Sequence, residues 1–339
     1  MTSVSVLIPL FNTPPKLLHQ ALLSVERQRF DTDEIQVCVH DDGSASDYRT
    51  GYETLDLDAY DVEIAWSESS DNRGISCARN AAARTADGEI YLLLDADDVL
   101  HPDAIRLVVE MFDRHDRADL VYSDNVKFTW PDVDLYQFRR KHCYQTWLTE
   151  YGGTTFDPLI QASFVVGLVA FRAETFAKIG GYDERLQVGE DIDFLTRIHG
   201  RSAENTFVHV PRVLYYRRHD EESLSRRRGD EMVENTEAIL LRAARSFGLD
   251  VTDVRYVSRL QPYGVSHYFL FDEEEEAIVP PYVQPTARRL EGVADTEASL
   301  HTRWERVLKP QLLDVVGEPR LQSNGRQNRT RRQVSQPGN

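Results

Sequence analysis

Ile90-Tyr91-Leu92-Leu93-Leu94-Asp95-Ala96-Asp97-Asp98 is an apolar run that ends in three carboxylates. The run does not alternate, so it reads as a strand buried on both faces, as in a parallel sheet covered by helices. The acids after it would stand at the carboxyl edge of that sheet, where open α/β sheets bind ligands. A second stretch has the same form: Ile35-Gln36-Val37-Cys38-Val39-His40 runs into Asp41-Asp42-Gly43-Ser44. Three carboxylates within four residues repel one another, so a stable site needs a cation or a counter-charge. Carboxylates one residue apart suit a hard divalent cation carrying a phosphorylated ligand. An EF-hand loop would need Gly and Glu at later fixed positions, and both are missing.

Strand and helix patterns alternate around these stretches. Residues 4–10 read as a buried strand, followed by a helix that Thr13 caps and Pro14 and Pro15 open. Leu18, Ala21, Leu22 and Val25 give that helix one apolar face. Strands are expected at 62–66, 120–123, 164–171 and 208–216, and helices at 75–86, 102–115, 173–179, 190–199, 231–247 and 296–315. In the 102–115 helix Ile105, Val108, Val109 and Phe112 point inward. The fold class is therefore α/β, with a mostly parallel central sheet and helices on both faces. Residues 125–157 are aromatic and irregular; core packing and a sugar-stacking platform are both open for Phe128, Trp130, Tyr136, Phe138, Tyr144, Trp147 and Tyr151. The acidic run 272–276 reads as a solvated loop.

Composition narrows the function classes. With 339 residues and 41% hydrophobic content, the chain can bury a sizeable core. A net charge of −17 argues against nucleic-acid binding, which needs a basic footprint. Only five of the 39 basic residues are lysines, which fits a salt-adapted cytoplasm and high-GC codon usage equally. Cys38, Cys77 and Cys143 match no metal or disulfide spacing, which implies a reducing compartment. No leader pattern opens the sequence and no apolar stretch is long enough to span a bilayer. The expectation is a cytoplasmic protein, with peripheral association at the inner face of a membrane left open.

Further residues carry possible chemistry. Asp-Gly is an ordinary turn pair, yet an aspartate ending the second strand can also accept a base N–H, which uracil, thymine and guanine offer. Asn72-Arg73-Gly74 precedes an alanine-rich helix whose N-terminus can face an anion. Gly189-Glu190-Asp191 opens another helix, where acids favour the macrodipole and one can also serve as a general base. Tyr215-Tyr216-Arg217-Arg218-His219 ends the last strand; near a diphosphate, His219 could bind a metal and an arginine could offset leaving-group charge.

Taken in order, these elements resemble the family 2 glycosyltransferases of the GT-A fold. The resemblance rests on Val4-Ser5-Val6-Leu7-Ile8-Pro9-Leu10-Phe11-Asn12, the Asp-Asp-Gly-Ser turn, Asn-Arg-Gly through Asn80, Asp-Ala-Asp-Asp, Ile179-Gly180-Gly181-Tyr182-Asp183-Glu184, Gly-Glu-Asp and the late Tyr-Arg-Arg-His, spanning about residues 3 to 225. It implies that Pro9, Phe11 and Asn12 line the base and ribose, with Phe11 stacking on the base. Asp42 would take the base N–H, Arg73 would lie near the base or diphosphate, and Asp95 and Ala96 would meet the ribose side. Asp97 and His219 would hold Mn2+ or Mg2+, Asp191 would be the catalytic base, and Glu190 would shape the acceptor site.

The implied activity is inverting transfer of one sugar from a nucleotide-diphospho-sugar, UDP- favoured and dTDP- or GDP- open, to an acceptor hydroxyl on a sugar, lipid-linked or small-molecule acceptor in glycan or polysaccharide biosynthesis. Processive synthases of the family usually carry Gln-x-x-Arg-Trp, which is missing here. Residues 1–249 would form the GT-A domain, with a nucleotide half at 1–124 and an acceptor half at 125–249. Residues 250–319 would be an extension of unassigned role and 320–339 a disordered basic tail. Two rivals stand: a sugar nucleotidyltransferase, which would show a Gly-rich phosphate loop in place of Pro9-Leu10-Phe11-Asn12, and a non-catalytic nucleotide- or carbohydrate-binding protein.

Overall fold

The computed structural model describes residues 2–139, 167–199, 207–219, 228–246, 250–260, 265–271, 277–278 and 304–316. The aromatics Tyr144, Trp147 and Tyr151, the acidic run 272–276, Cys143 and the 320–339 tail lie outside them.

The first four large strands are β1 (Val4–Leu10), β2 (Ile35–Asp42), β3 (Glu63–Ser69) and β4 (Ile90–Leu93). They form a parallel block in the order β3-β2-β1-β4. Every residue of β1, β2 and β4 is buried, as their unbroken apolar character requires. Alternate residues enter two different cores. Val6, Ile8, Val37, Val39 and Leu92 face one cluster, with Leu18 and Leu22 of α1 (Pro15–Glu26). Leu7, Cys38 and Leu93 face the other, with Ala82 and Ala83 of α3 (Ile75–Arg84). This period of two is what puts helices on both faces. Between them in sequence lies α2 (Ser46–Tyr52). Helix α1 differs from expectation at its start: Pro14 is the cap and Thr13 supplies no capping bond. The Thr13 carbonyl instead accepts from the Tyr52 hydroxyl at 2.7 Å.

Because β1 leads to β2 on one side and β4 lies on the other, strand order reverses between β1 and β4. The crevice of such a sheet opens at that switch point. Register brings the strand ends level: Leu10 stands beside Asp41, and Asp42 beside Ser69. The second half of the sheet is mixed. It adds β5 (Val99–Leu100), β6 (Leu120–Phe128), β7 (Leu135–Arg139), β8 (Val169–Arg172) and β9 (Phe207–Arg218), continuing as β4-β8-β6-β9-β5, with β7 on β6. The chain passes straight from β4 to β5 although three strands lie between them in the sheet. Those four gaps measure about 19 Å on a flat sheet, and six extended residues reach roughly 20 Å. Residues 94–98 are not extended, since Asp98 N–H folds back onto the Asp95 carbonyl at 3.0 Å. The sheet therefore curls, and the acid loop spans its mouth.

The remaining helices are α4 (Ala104–Arg114), α5 (Ala173–Ile179), α6 (Glu190–His199), α7 (Gly229–Ser246) and α8 (Lys309–Val316). Ile105, Val108, Val109 and Phe112 of α4 are buried as the periodicity demands. Helix α5 stops at Gly180, whose φ of 78° gives the left-handed cap. A second sheet pairs β10 (Asp253–Leu260), β11 (Val265–Phe271) and β12 (Ala277–Ile278). No helix among the described residues is long and apolar enough to cross a membrane.

One glycine is decisive for the site. Gly43 has φ +77°, and a Cβ there would lie 2.4 Å from the carbonyl carbon of Asp71. The Asp-Asp-Gly-Ser turn and the 71–74 loop cross at that point. Gly43→Ala should cost roughly 2 kcal/mol or more in stability, read as a lower urea midpoint. An unchanged midpoint would mean that the crossing relaxes freely.

Candidate active site

The carboxyl edge of the parallel block collects the acids, and each is stabilised differently. Asp41 is buried in its turn: its Oδ1 accepts from Ser44 N–H at 2.9 Å and its Oδ2 from Arg49 Nε at 3.0 Å. Asp42 uses only Oδ2, which accepts from Arg73 N–H at 2.9 Å and Gly74 N–H at 2.7 Å. Its Oδ1 is buried with no partner among the described residues. A buried acceptor without a donor is costly unless something completes it. Two backbone donors fix the Asp42 carboxylate while the second oxygen stays available.

The neighbouring β1 loop frames this oxygen. Pro9 is buried in the ladder beside His40. Phe11 is 46% exposed, a large apolar ring held in solvent at the crevice. Asn12 takes a φ of 50°, donates its N–H to Ser44 Oγ and accepts Ala45 N–H on Oδ1. Its carboxamide oxygen is thus already spent on joining the two loops. Arg73 points to solvent and pairs with Glu184 at 3.2 Å, while its N–H is what holds Asp42.

At the end of β4, Asp95 N–H donates to the Tyr215 hydroxyl at 3.0 Å, and the Asp95 carboxylate meets Arg79 at 3.5 Å. Ala96 is buried in the core, so its side chain faces away from solvent. Asp98 is buried too: its Oδ1 accepts Arg218 N–H at 2.7 Å, and burial followed by the Asp97 charge pushes its carboxyl well up. The Asp97 carboxylate makes no ion pair among the described residues, while its carbonyl accepts from Arg218 Nε. Burial first, then the charge of Asp95, pushes its carboxyl up to about 6. Strand β9 carries His219 to the same place, because β5 pairs with β9 through Val99–Tyr216 and Leu100–Tyr215. His219 N–H donates to the Phe128 carbonyl at 2.7 Å.

The donor set fits a hard cation. Burial and the Asp95 charge outweigh Arg218 and Arg217 at the Asp97 carboxyl, and a bound cation would stabilise its ionised form. Among the described residues no three His, Cys, Asp or Glu side chains are grouped to enclose a metal ion. A cation here would therefore draw the rest of its ligands from a diphosphate and water, as Mg2+ sites commonly do.

The second acid group arrives on α6. Gly189, with φ +81°, turns the chain into the helix, and Asp193 anchors it by accepting from Arg197 and Arg242. Glu190 accepts from Arg79 Nη1 at 2.8 Å, with only 13% of its side chain exposed. Burial, then the adjacent Asp191 charge, pushes its carboxyl up to about 7 against the pull of Arg79. Asp191 is exposed, and its Oδ1 accepts the N–H of Ile192 at 2.8 Å.

Arg79 is the residue the sequence reading missed. It stands on α3, 111 positions from Glu190, and joins Asp95 to Glu190 with one guanidinium stacked 5.2 Å from the Tyr182 ring. Its neighbour Asn80 grips the Tyr182 backbone twice, at 2.9 and 2.8 Å, and Ser76 Oγ donates to the Leu186 carbonyl. Tyr215 was also unassigned. The Ala-Arg-Asn and Tyr-Tyr-Arg-Arg-His segments contained both residues, but only long-range pairing gives them roles.

The family model for Glycosyl transferase family 2 matches residues 5–176, about half of the chain. The chain belongs to this family. An N-acetylglucosaminyltransferase of Mesorhizobium japonicum is 36% identical over 33% of this chain and 26% of its own length. The chain spans less than half the length of the first curated relatives it matches. Among solved structures, S. aureus TarS 1-349 in complex with UDP-GlcNAc aligns with a TM-score of 0.56 at 18% identity, over 72% of this chain and 66% of that one. The mannosyltransferase PcManGT from Pyrobaculum calidifontis, in complex with GDP-Man and Mn2+, aligns with a TM-score of 0.53 at 19% identity, over 93% and 86%. These likenesses bear out the GT-A fold.

The raised Glu190 pKa has a signed consequence. The folded state binds this proton more tightly than the unfolded chain, so the stability it contributes is full below about pH 4.5 and lost as pH rises through about 7. Glu190→Gln should flatten that part of the stability–pH profile, measured as urea midpoints between those pH values. Equal slopes in both proteins would refute the burial of this charge.

Proposed function

We propose that this glycosyltransferase is metal-dependent and inverting, and moves one sugar from a nucleotide-diphospho-sugar to an acceptor hydroxyl. The observation that carries the reading is the Arg79 bridge. It ties Asp95 to Glu190, the neighbour of Asp191, and so supports reading the two acid groups as one site. A base for the acceptor and carboxylates for the donor then share one site.

The Asp42 Oδ1 atom would accept the base N–H, which uracil, thymine and guanine all offer. Phe11 would stack on the base, while Pro9 and the Asn12–Ser44 link hold its loop in place. Arg73 would line the base and diphosphate side, and Asp95, with the Ala96 backbone, the ribose. Asp97 and His219 would hold Mn2+ or Mg2+, which when bound would neutralise the leaving diphosphate. Asp191, exposed at the start of α6, would take the proton of the acceptor hydroxyl. The acceptor oxygen then bonds the anomeric carbon from the face opposite the leaving group, and the carbon–diphosphate bond breaks. One displacement inverts the centre and needs no protein nucleophile. Glu190 is held by Arg79 and would shape the acceptor side rather than move the proton.

A UDP-sugar is the favoured donor: a family relative is an N-acetylglucosaminyltransferase and a fold neighbour holds UDP-GlcNAc. The Mn2+ in the PcManGT complex supports metal use in this fold.

Two substitutions separate the roles. Asp97→Ala should abolish the Mn2+-dependent gain in UDP affinity seen by calorimetry. Asp191→Asn should keep that binding and lose transfer by about a hundredfold or more. If both variants transfer sugar at the wild-type rate from a panel of UDP-, GDP- and dTDP-sugars, the site assignment is wrong.

A further inference from the structure

Beneath the acid loop lies a buried cation that the proposed chemistry does not use. Arg218 is only 6% exposed. Its Nε donates to the Asp97 carbonyl and its backbone N–H to Asp98 Oδ1 at 2.7 Å. The guanidinium lies 4.4 Å from the Trp130 ring centre and 5.2 Å from that of Phe128. Its Nη2 donates to Gln20 Oε1 at 2.6 Å. Gln20, itself 3% exposed on α1, donates through Nε2 to the Val316 carbonyl at the end of α8 at 2.6 Å. A continuous chain of hydrogen bonds thus runs from the last turn of α8, through Gln20 and Arg218, to the backbone and side chain of the Asp97–Asp98 pair.

Packing follows the same route. Trp304, Leu308, Leu312, Val315 and Val316 share one apolar cluster with Val99, which directly follows Asp98, and with Tyr216. Gln311 Oε1 accepts from His101 Nε2 at 3.0 Å, and Lys309 pairs with Asp134 at 3.2 Å. The loop spanning the curled sheet has few neighbours of its own in sequence. Residues 304–316, more than two hundred positions away and well past residue 176, where the family match ends, pack against Val99 at its end and reach it through Gln20 and Arg218.

We propose that Gln20 and Arg218 are positioning residues for the Asp97–Asp98 loop, and that the 304–316 segment is the support that holds them. The proposal rests on the reading that Asp97 faces the diphosphate-bound cation. Arg218 acts through its hold on this loop, and Gln20 fixes the guanidinium so that the carboxylates keep one orientation. Outer-shell groups of this kind typically change metal affinity by 10- to 100-fold when removed.

The test uses the full chain. Hydrogen exchange without metal or nucleotide should rise in residues 95–100 for Gln20→Leu and Leu312→Ala, with residues 35–42 unchanged. Calorimetry with UDP should show the Mn2+-dependent gain in affinity reduced about tenfold or more in Gln20→Leu, while uridine, which lacks the diphosphate, binds as in the wild type. Gln20→Glu keeps the oxygen that receives Arg218 but loses the donor to Val316, and should recover part of the gain. If Gln20→Leu leaves both the exchange and the Mn2+ gain unaltered, the positioning role is overturned. If Leu312→Ala leaves 95–100 unaltered, the support role of the C-terminal segment falls. A wild type whose UDP affinity ignores Mn2+ would overturn the metal reading instead, and the exchange data would still decide the positioning claim.

Discussion

Crowding of negative charge at one sheet edge is the constraint on which the rest of this structure depends. Asp41, Asp42, Asp95, Asp97, Asp98, Glu190 and Asp191 converge there. A carboxylate taken out of water is tolerated only if hydrogen-bonded or paired. Asp41 has Arg49 and a turn N–H; Asp42 has two backbone donors; Asp98 has the Arg218 N–H. Asp95 and Glu190 share Arg79. The Asp97 carboxylate makes no ion pair among the described residues, and burial, then the Asp95 charge, raises its pKa against the opposing pull of Arg218 and Arg217. The folded chain neutralises its acids in turn, and the residual demand for positive charge falls at one position.

Helix α3 distributes these neutralising contacts. Its N-terminal approach gives Arg73 and Gly74 N–H groups to Asp42, its middle gives Arg79 to both acid groups, and Asn80 and Ser76 hold the 182–186 loop. Its alanines make this possible: Ala82 and Ala83 let the helix lie close on β1 and β2, so side chains at its start reach the sheet edge. The two acid groups are therefore indexed to one rigid element rather than to two independent loops, which suits chemistry that needs reacting groups held at close tolerance.

Much of this was legible in the sequence for a specific reason. Buried parallel strands show as unbroken apolar runs, and the acids that end Ile35–Asp42 and follow Ile90–Leu93 mark which edge binds. The apolar faces of α1 and α4 were equally plain. What escaped had no local signature. The two-residue strand Val99–Leu100 is too short for any period, yet its pairing with β9 curls the sheet and brings His219 toward Asp97. The role of Arg79 depends on a partner 111 residues away. Thr13 reads as a helix cap by residue type, but Pro14 takes the position and leaves the Thr13 carbonyl to Tyr52. Asn12 reads as a ligand contact, while its side chain in the fold joins two loops.

The same physics explains why the site extends beyond the family match. A loop that spans the open mouth of a curled sheet cannot be held by its own strand neighbours, because β4 and β5 lie at opposite ends of the β4-β8-β6-β9-β5 run. Something must fill the space under it and supply a donor for each inward-facing oxygen. Apolar residues alone would fill the space but leave the Asp97 carbonyl without its donor, and a lone arginine would leave its own charge buried. Arg218 packed against Trp130 and Phe128, bonded to Gln20 and through it to the end of α8, meets both needs at once. The acidic edge and helix α8 are therefore two faces of one packing problem.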